Sequence, residues 1–228
     1  MKQLLIALLT FSTFIPFTQI FGIGGVGFQG GQSLLSNESS QSTEGEAILN
    51  TSEFSNPFSG GAYIYIDAIP FVDLEADFTF SMKEYTFDFQ NSTGARGPYG
   101  FTWGDFSIYL TARKKIVGLG IPLLAKAKLF YGGGYNMHTV TPLMDLTLME
   151  SALGGSLTAN PTSLSEGDLI DYLMDNRENP NGFHIQSGLQ FKVLFLDTFV
   201  FYRHTFVKDI VPEQDHFGSL NLRIGYGL

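Results

Sequence analysis

The segment from 72 to 82 constrains the fold of this 228-residue chain more than any other. Its even-numbered positions are all apolar and its odd-numbered positions are polar or acidic, a period of two that is typical of a β-strand with two different faces. The apolar face is eleven residues long, and a tilted strand needs about 9–11 residues to cross the hydrocarbon layer of a membrane. The pattern therefore predicts a membrane-spanning strand.

Segments with this period, or with many aromatic residues, recur along the chain. The connections between them alternate between long loops and tight turns, so an antiparallel meander would place every long loop at the same end. This asymmetry is typical of outer-membrane barrels. We therefore predict an all-β fold, an eight-stranded antiparallel up-and-down transmembrane β-barrel with a long extracellular loop that contains short helices. The predicted strands are 23–35, 60–69, 72–89, 105–117, 121–138, 182–195, 198–210 and 216–228.

Aromatic residues near the predicted strand ends suggest the interfacial girdles of a membrane barrel. A soluble barrel of the lipocalin type is the alternative, with the apolar stripes lining a cavity and the charges outside. Two segments break the pattern. The apolar positions become odd-numbered after Met82, which predicts a β-bulge there, and 199–206 is apolar on both parities. The predicted girdle residues are Tyr63, Tyr65, Tyr85, Phe87, Phe89, Tyr99, Phe101, Trp103, Tyr131, Tyr135 and Tyr226.

The beginning of the chain has the order of a secretory signal peptide, in which a lysine is followed by the apolar stretch 4–15 and a more polar segment that ends near Gly22. An uncleaved anchor is the alternative, although the apolar run is shorter than the roughly 20 residues of a spanning helix. We expect 1–22 to be the signal peptide, 23–228 the barrel, and 139–181 the long extracellular loop.

Charge and composition exclude several classes of function. The net charge is −9, from 13 basic and 22 acidic residues, and no basic cluster favours nucleic-acid binding. The chain has no cysteine, which excludes disulfide scaffolds, thiolate zinc sites and thiol catalysis. No phosphate-binding, dinucleotide-binding, hydrolase or metalloprotease motif is present. The sequence therefore predicts no metal, no cofactor and no enzymatic activity.

In architecture and hydrophobic rhythm, residues 23–228 resemble the small eight-stranded outer-membrane barrels, such as the membrane domain of outer membrane protein A and the outer membrane protein X and W groups. The resemblance implies a location in the outer membrane of a Gram-negative bacterium. It implies lipid, lipopolysaccharide, the barrel-assembly machinery and an extracellular ligand as partners. Such barrels commonly end in an aromatic residue, whereas Leu228 is terminal here and Tyr226 lies two positions earlier.

The interior is predicted to hold many charges and to be net basic. Cross-strand ion pairs between Asp73 or Glu75 and Arg113 or Lys115 are geometrically natural. An eight-stranded barrel is wide enough only for its own side chains, which favours a polar plug. A narrow anion path or a site for a fatty acid or phosphate headgroup is the alternative. The predicted lumen charge network is Asp67, Asp73, Glu75, Asp77, Lys83, Arg113, Lys115, Lys126, Lys128, Lys192, Arg203 and Arg223.

Two loops stand out by length. The polar segment 36–59 is predicted to be a mobile surface loop. In 139–181, Ser163 and Glu166 predict a capping box that begins a helix ending near Asp175. We expect the apolar face of this helix to cover the barrel mouth. Its acidic side is predicted to be solvated, with calcium or cations that bridge lipopolysaccharide as the alternative.

One further set of residues is a candidate site at the outer rim. His138 and His184 flank the long loop, and with Asp145 they could bind zinc or supply a general base. Three functions remain open. The favoured one is a structural or surface-interaction barrel with a closed lumen, and the alternatives are a small channel or carrier for hydrophobic or anionic solutes and a lipid-modifying enzyme.

Overall fold

The computed structural model describes residues 24–67, 71–121 and 124–227, so the predicted signal peptide lies outside the described residues. Strand content dominates, with two short helices and one 3-10 turn at Pro161–Ser163 in the long loop. The helices are α1 (Leu146–Ala152) and α2 (Glu166–Asp175). The strands are β1 (Gly24–Leu34), β2 (Ser36–Asn37), β3 (Ser40–Glu44), β4 (Ala47–Thr51), β5 (Phe54–Ser55), β6 (Phe58–Ile66), β7 (Asp73–Asn91), β8 (Gly94–Ile121), β9 (Ala125–Val140), β10 (Asn181–Val193), β11 (Leu196–Phe206) and β12 (His216–Gly227).

Eight of these strands close into a ring, which confirms the predicted barrel. The order is β6-β1-β12-β11-β10-β9-β8, and β7 closes the ring by pairing with both β8 and β6. All pairings are antiparallel. The tight turns lie at one end of the barrel, together with the start of β1 and the end of β12, and we call this the turn end. The long connections lie at the opposite end, which we call the loop end.

The two faces of each barrel strand differ as the period of two predicts. On β7, Leu74, Phe78 and Phe80 are 44–45% exposed, whereas Glu75 and Asp77 are 0–4% exposed. Apolar side chains are likewise exposed along the other seven strands of the ring. The soluble-barrel alternative is therefore wrong, because the apolar face lies outside, where acyl chains can cover it.

Strands β7 and β8 continue beyond this apolar belt as a tall hairpin. Their register runs unbroken from Asp73 opposite Arg113 to Phe87 opposite Tyr99, and the shift lies between Phe87 and Phe89. The predicted bulge after Met82 is therefore wrong, and most of the predicted connection 90–104 is strand. The odd-numbered residues of β7 point inward from Glu75 to Phe89, but they change from polar below Tyr85 to aromatic from Tyr85 onward. Above the belt the outside is water and the inside is apolar, so the pattern inverts without any change in the backbone.

The tall hairpin encloses a hydrophobic core above the barrel, here called the apolar cap. Strand β4 extends the sheet by pairing with β7, and the predicted mobile loop 36–59 instead supplies four short strands to this region. Burial raises the pKa of Tyr85 to about 12, and its hydroxyl accepts a hydrogen bond from the Met144 amide at 3.2 Å. The buried residues of the cap are Leu35, Ala47, Leu49, Phe54, Tyr85, Phe87, Phe89, Phe101, Trp103, Val140, Met144, Met149, Leu157, Leu169, Leu173, Val207, Ile210, Val211 and Phe217.

Helices α1 and α2 contribute to the cap. The capping box of α2 is formed by Ser165 and Asp168, two residues later than predicted from Ser163 and Glu166. The Ser165 hydroxyl accepts from the Asp168 amide at 3.1 Å, and the Ser163 hydroxyl instead bonds to the Asn160 carbonyl. The Asp168 carboxylate in turn accepts hydrogen bonds from the Ser165 hydroxyl and amide, at 2.7 and 3.2 Å, and these two bonds lower the pKa of this exposed carboxyl. Neither described helix has the length and apolar composition of a membrane span.

Most of the predicted girdle aromatics are not at the membrane surface. Tyr63 and Tyr65 lie inside the barrel at 1–2% exposure, and Tyr99 packs against the apolar cap. A further five, Tyr85, Phe87, Phe89, Phe101 and Trp103, belong to the cap itself. Tyr131, Tyr135 and Tyr226 do face outward, at 37–49% exposure. The prediction failed because a side chain near a strand end can point into a core as easily as into an interface.

Trp103 tests this correction, because it is the one tryptophan of the chain and is 2% exposed within the cap. We expect its fluorescence to be quenched weakly both by brominated lipids and by aqueous acrylamide. The reason is that packed side chains separate the indole from acyl chains and from water. Steady-state quenching in vesicles measures this directly. Strong quenching by brominated lipids would show that Trp103 lies at the membrane interface, and would contradict its burial in the apolar cap.

Candidate functional site: a charge plug in the barrel lumen

Three arginines from three different strands meet inside the barrel. Arg113 lies on β8, Arg203 on β11 and Arg223 on β12, and each is 0–2% exposed. They surround Glu75 and Asp77 of β7, which are also buried. All five positions have inward parity in their strands, so the sequence pattern itself directs these side chains to one place. We call these five residues the charge plug.

The ion pairs of the plug share partners. The Arg223 Nη1 lies 3.1 Å from Glu75 Oε2, and its Nη2 lies 2.5 Å from Asp77 Oδ2. Arg203 donates to the same Asp77 oxygen. The Arg113 Nη1 lies 3.4 Å from Glu75 Oε2. Each carboxylate therefore faces two guanidinium groups, which links β7 to three other strands across the lumen.

Aromatic rings cover the arginines. The Arg203 guanidinium carbon lies 4.0 Å from the ring centre of Tyr109, and that of Arg223 lies 4.3 Å from Phe201. Arg113 lies 4.8 Å from Phe199, within the distance range of cation–π attraction. The rings also exclude water, so the lumen is filled by packed side chains at the height of the plug.

Two glutamines add hydrogen bonds to the plug. The Gln186 Oε1 accepts from Arg203 Nε at 3.0 Å, and its amide nitrogen donates to Glu75. The Gln29 Oε1 accepts from Arg223 Nε at 2.9 Å. Buried charges are stabilised when they are paired and their remaining donors are bonded, and the glutamines supply such bonds to Arg203 and Arg223. The Nε and Nη1 atoms of Arg113 have no hydrogen-bond partner among the described residues.

Glycines on the inward face make room for two rings beside the plug. A Cβ atom at Gly25 would lie 2.5 Å from the Tyr65 ring, and one at Gly225 would lie 2.5 Å from the Tyr63 hydroxyl. Packing therefore explains why glycines are needed on the inward face of β1. These glycines allow bulky tyrosines of β6 to fill the lumen next to the arginines.

The other predicted lumen charges lie toward the ends of the barrel. At the turn end, Asp67 lies 3.6 Å from both Arg113 and Lys128, and Asp73 lies 3.3 Å from Arg113. The paired groups thus comprise four cations, including Lys128, and four carboxylates. This balance differs from the predicted net basic lumen because the surplus lysines stay nearer solvent. Within the described residues, these four lysines form no ion pair: Lys83, Lys115, Lys126 and Lys192.

Two buried carboxylates escaped the sequence prediction. Asp197 is fully buried and accepts from the Tyr65 hydroxyl and from Gln190 Nε2. Asp105 is 3% exposed and pairs with His138. Asp105 is the first residue of the predicted strand 105–117, and Asp197 immediately precedes the predicted strand 198–210, so neither was included among the lumen charges. The aromatic residues that follow Asp197 on β11 hid its inward face.

The structure does not assemble the predicted rim site. The His138 Nδ1 lies 2.9 Å from Asp105 Oδ1, and the His184 Nε2 lies 2.8 Å from the Thr111 hydroxyl. The Tyr109 ring contacts both imidazoles, with centroids 5.6 and 5.1 Å away. Asp145 caps α1 by accepting from the Leu148 amide at 2.7 Å. The three side chains thus have separate partners, and no cluster able to hold a metal occurs among the described residues.

Comparisons with known proteins give similarity to solved structures alone. No protein-family model and no curated protein matches the sequence. Among solved structures, Ail, the attachment invasion locus protein of Yersinia pestis, is 10% identical with a TM-score of 0.42, covering 91% of this chain and 99% of its own. Neisserial surface protein A is 15% identical with a TM-score of 0.44, covering 91% and 97%.

Proposed function

We propose that this protein is a bacterial outer-membrane barrel with a structural or surface-interaction role and a lumen closed to solutes. The charge plug is the observation that carries the proposal. Its three arginines, two carboxylates and covering rings fill the lumen, and their exposure is 0–5%. A barrel of eight strands has little interior space beyond its own side chains, so a packed plug leaves no aqueous path.

The placement in the membrane follows from the belt and the loops. Exposed apolar side chains surround the ring, and long loops of outer-membrane barrels are extracellular while tight turns are periplasmic. The loop end, with the apolar cap, is therefore the extracellular end. A cap with its own hydrophobic core presents a fixed surface to the outside, which suits contact with another molecule better than transport does.

The closed lumen predicts that the purified full chain conducts no ions. After insertion into a planar lipid bilayer, we expect the current to stay at the level of the protein-free membrane. A sixteen-stranded porin in the same bilayer serves as the positive control for insertion and detection. Native mass spectrometry of the detergent-purified protein should show no bound lipid in the lumen. Steady single-channel steps would support the channel alternative, and a copurified fatty acid would support the carrier.

A further inference from the structure

A groove of about 930 Å³ opens on the extracellular side, next to the apolar cap. We call it the mouth groove. It is lined by β3 with the residues just before it, by the start of α1, and by the loop between β11 and β12. The apolar residues Leu143, Leu148 and Pro212 contribute to its surface. No residue of the charge plug lines the groove, whereas Val140, Met144, Ile210 and Val211 of the apolar cap form part of its floor.

An unpaired sheet edge borders the mouth groove. Strand β3 pairs with β4 on one side and, among the residues that the structure describes, has no strand on its other side. Ser40 and Ser42, at alternate positions of β3, line the groove. A free edge presents backbone donors and acceptors that an extended peptide can pair with. The five residues of β3 are enough for a short added strand.

All the charged residues that line the mouth groove are acidic. Its lining includes five acidic residues and no lysine, arginine or histidine, and within the described part of the chain none of the five forms an ion pair. Arg177 and Lys208 are exposed and adjacent in sequence to two of these residues, but neither lines the groove. The five acidic residues are Glu38, Asp145, Glu178, Asp209 and Glu213.

Two of these carboxylates are held in place by the backbone. Glu178 is fixed by two hydrogen bonds with Val140, each 2.9 Å long, and Asp145 is fixed as the N-cap of α1. Desolvation by burial, with Asp209 and Asp145 nearby, raises the pKa of the Glu178 carboxyl. Like charges held together in this way repel one another, and a cationic ligand would relieve the repulsion.

We propose that the mouth groove binds an extended peptide segment rich in lysine or arginine, carried by an extracellular partner, which adds as a strand to the free edge of β3. This inference rests on the proposed surface-interaction role and names its partner class. Strand addition gives affinity through the backbone, and the carboxylates with the apolar residues select alternating basic and apolar side chains. A small polyamine could use the charges but neither the strand edge nor the apolar surface.

The test uses the full chain in detergent and a fluorescently labelled ten-residue peptide of alternating lysine and valine, with binding followed by anisotropy. We expect saturable binding that weakens with salt, and no binding of the matched glutamate and valine peptide. In the groove variant Glu178→Gln/Asp209→Asn/Glu213→Gln, affinity should fall about tenfold, since each exposed charge contributes a few-fold. The control variant Glu84→Gln/Glu166→Gln/Asp171→Asn has the same change in net charge and should bind like the wild type.

Backbone pairing is tested with two further peptides, methylated at alternate backbone nitrogens in one set or the other. Only one set faces β3 in an added strand, so one peptide should lose about tenfold or more in affinity and the other should not. Equal losses in both peptides, or in the groove and control variants, would overturn the proposal. Displacement by spermine with no preference between the methylated peptides would also overturn it, in favour of a polyamine site.

The two proposals fail in different ways. Absence of peptide binding by a folded, non-conducting protein contradicts the mouth groove and leaves the closed barrel standing. An ion current contradicts the closed barrel whatever the peptide does. Unchanged Trp103 emission shows that a variant retains its apolar cap, so a loss of binding in the groove variant is then due to charge and not to unfolding.

Discussion

Replacing Glu75 with alanine is expected to lower the free energy of unfolding by about 3–5 kcal/mol, as for other buried ion pairs that lose one partner. Glu75 is 4% exposed and faces Arg223 at 3.1 Å and Arg113 at 3.4 Å. Without Glu75, both guanidinium groups remain buried and keep ion pairs with other carboxylates, but each loses one of the negative charges that offset its removal from water. Urea unfolding in lipid vesicles, followed by the fluorescence of Trp103, measures the change.

A matched surface change and a double-mutant cycle separate charge pairing from general disruption. Glu84 is exposed on the same strand, so Glu84→Gln should alter the unfolding free energy by less than about 0.5 kcal/mol. The double variant Glu75→Gln/Arg223→Gln should lose less than the sum of its single variants, because the second change no longer leaves an unpaired charge. Additive losses, or a Glu75→Ala variant as stable as the wild type, would contradict the plug as a coupled network.

Placing arginine at Phe78 is expected to cost roughly 2–4 kcal/mol, the range for cations at the middle of the lipid-facing surface of a barrel. Phe78 is 44% exposed and stands midway along the apolar face of β7, between Leu74 and Met82. The cost arises because the guanidinium must leave water for acyl chains without a partner. The same urea unfolding experiment in vesicles gives the difference.

Thr102→Arg is the control for position along the barrel. Thr102 is exposed and pairs with Glu84 in the tall hairpin, beyond the apolar belt. Its side chain already meets water, so we expect a change within about 0.5 kcal/mol. A similar large loss in both variants would place the tall hairpin inside the bilayer, and no loss in either would mean that lipid does not cover the belt.

The sequence predicted the inward face wherever one parity was polar along the whole strand. Arg113 and Arg223 were assigned correctly for this reason, because polar neighbours at the same parity marked the interior. On β11 the inward residues include Phe199 and Phe201, which are 0% and 2% exposed, and the outward residues are also apolar. The aromatic rings are inside because they cover the arginines, a contact between strands far apart in the sequence.

The tall hairpin shows the second limit of the pattern. Residues on β7 keep one inward parity from Glu75 to Phe89, but a rule that equates apolar with lipid-facing reverses its answer above the membrane. The predicted loop 36–59 failed for a related reason. Strand β4 pairs with β7 and buries Ala47 and Leu49 in the apolar cap, and local composition does not reveal this partner.

The rim site failed because proximity along the strands does not decide which side chains meet. His138 and His184 both point inward, as their parity predicts, and each is satisfied by a different neighbour. The mouth groove had no sequence signal at all, since its acidic residues come from separate segments of the chain. Only the assembled loops bring them together.

The alternation of apolar and polar residues, by itself, determined the strands, the antiparallel barrel and the face that meets lipid, because a period of two is a local property of an extended backbone. The tertiary structure alone decided which charges pair in the plug, that aromatic side chains near strand ends form the apolar cap, and where an acidic groove opens. These features depend on contacts between residues distant in sequence, and on the height at which the surroundings of each strand change from acyl chains to water.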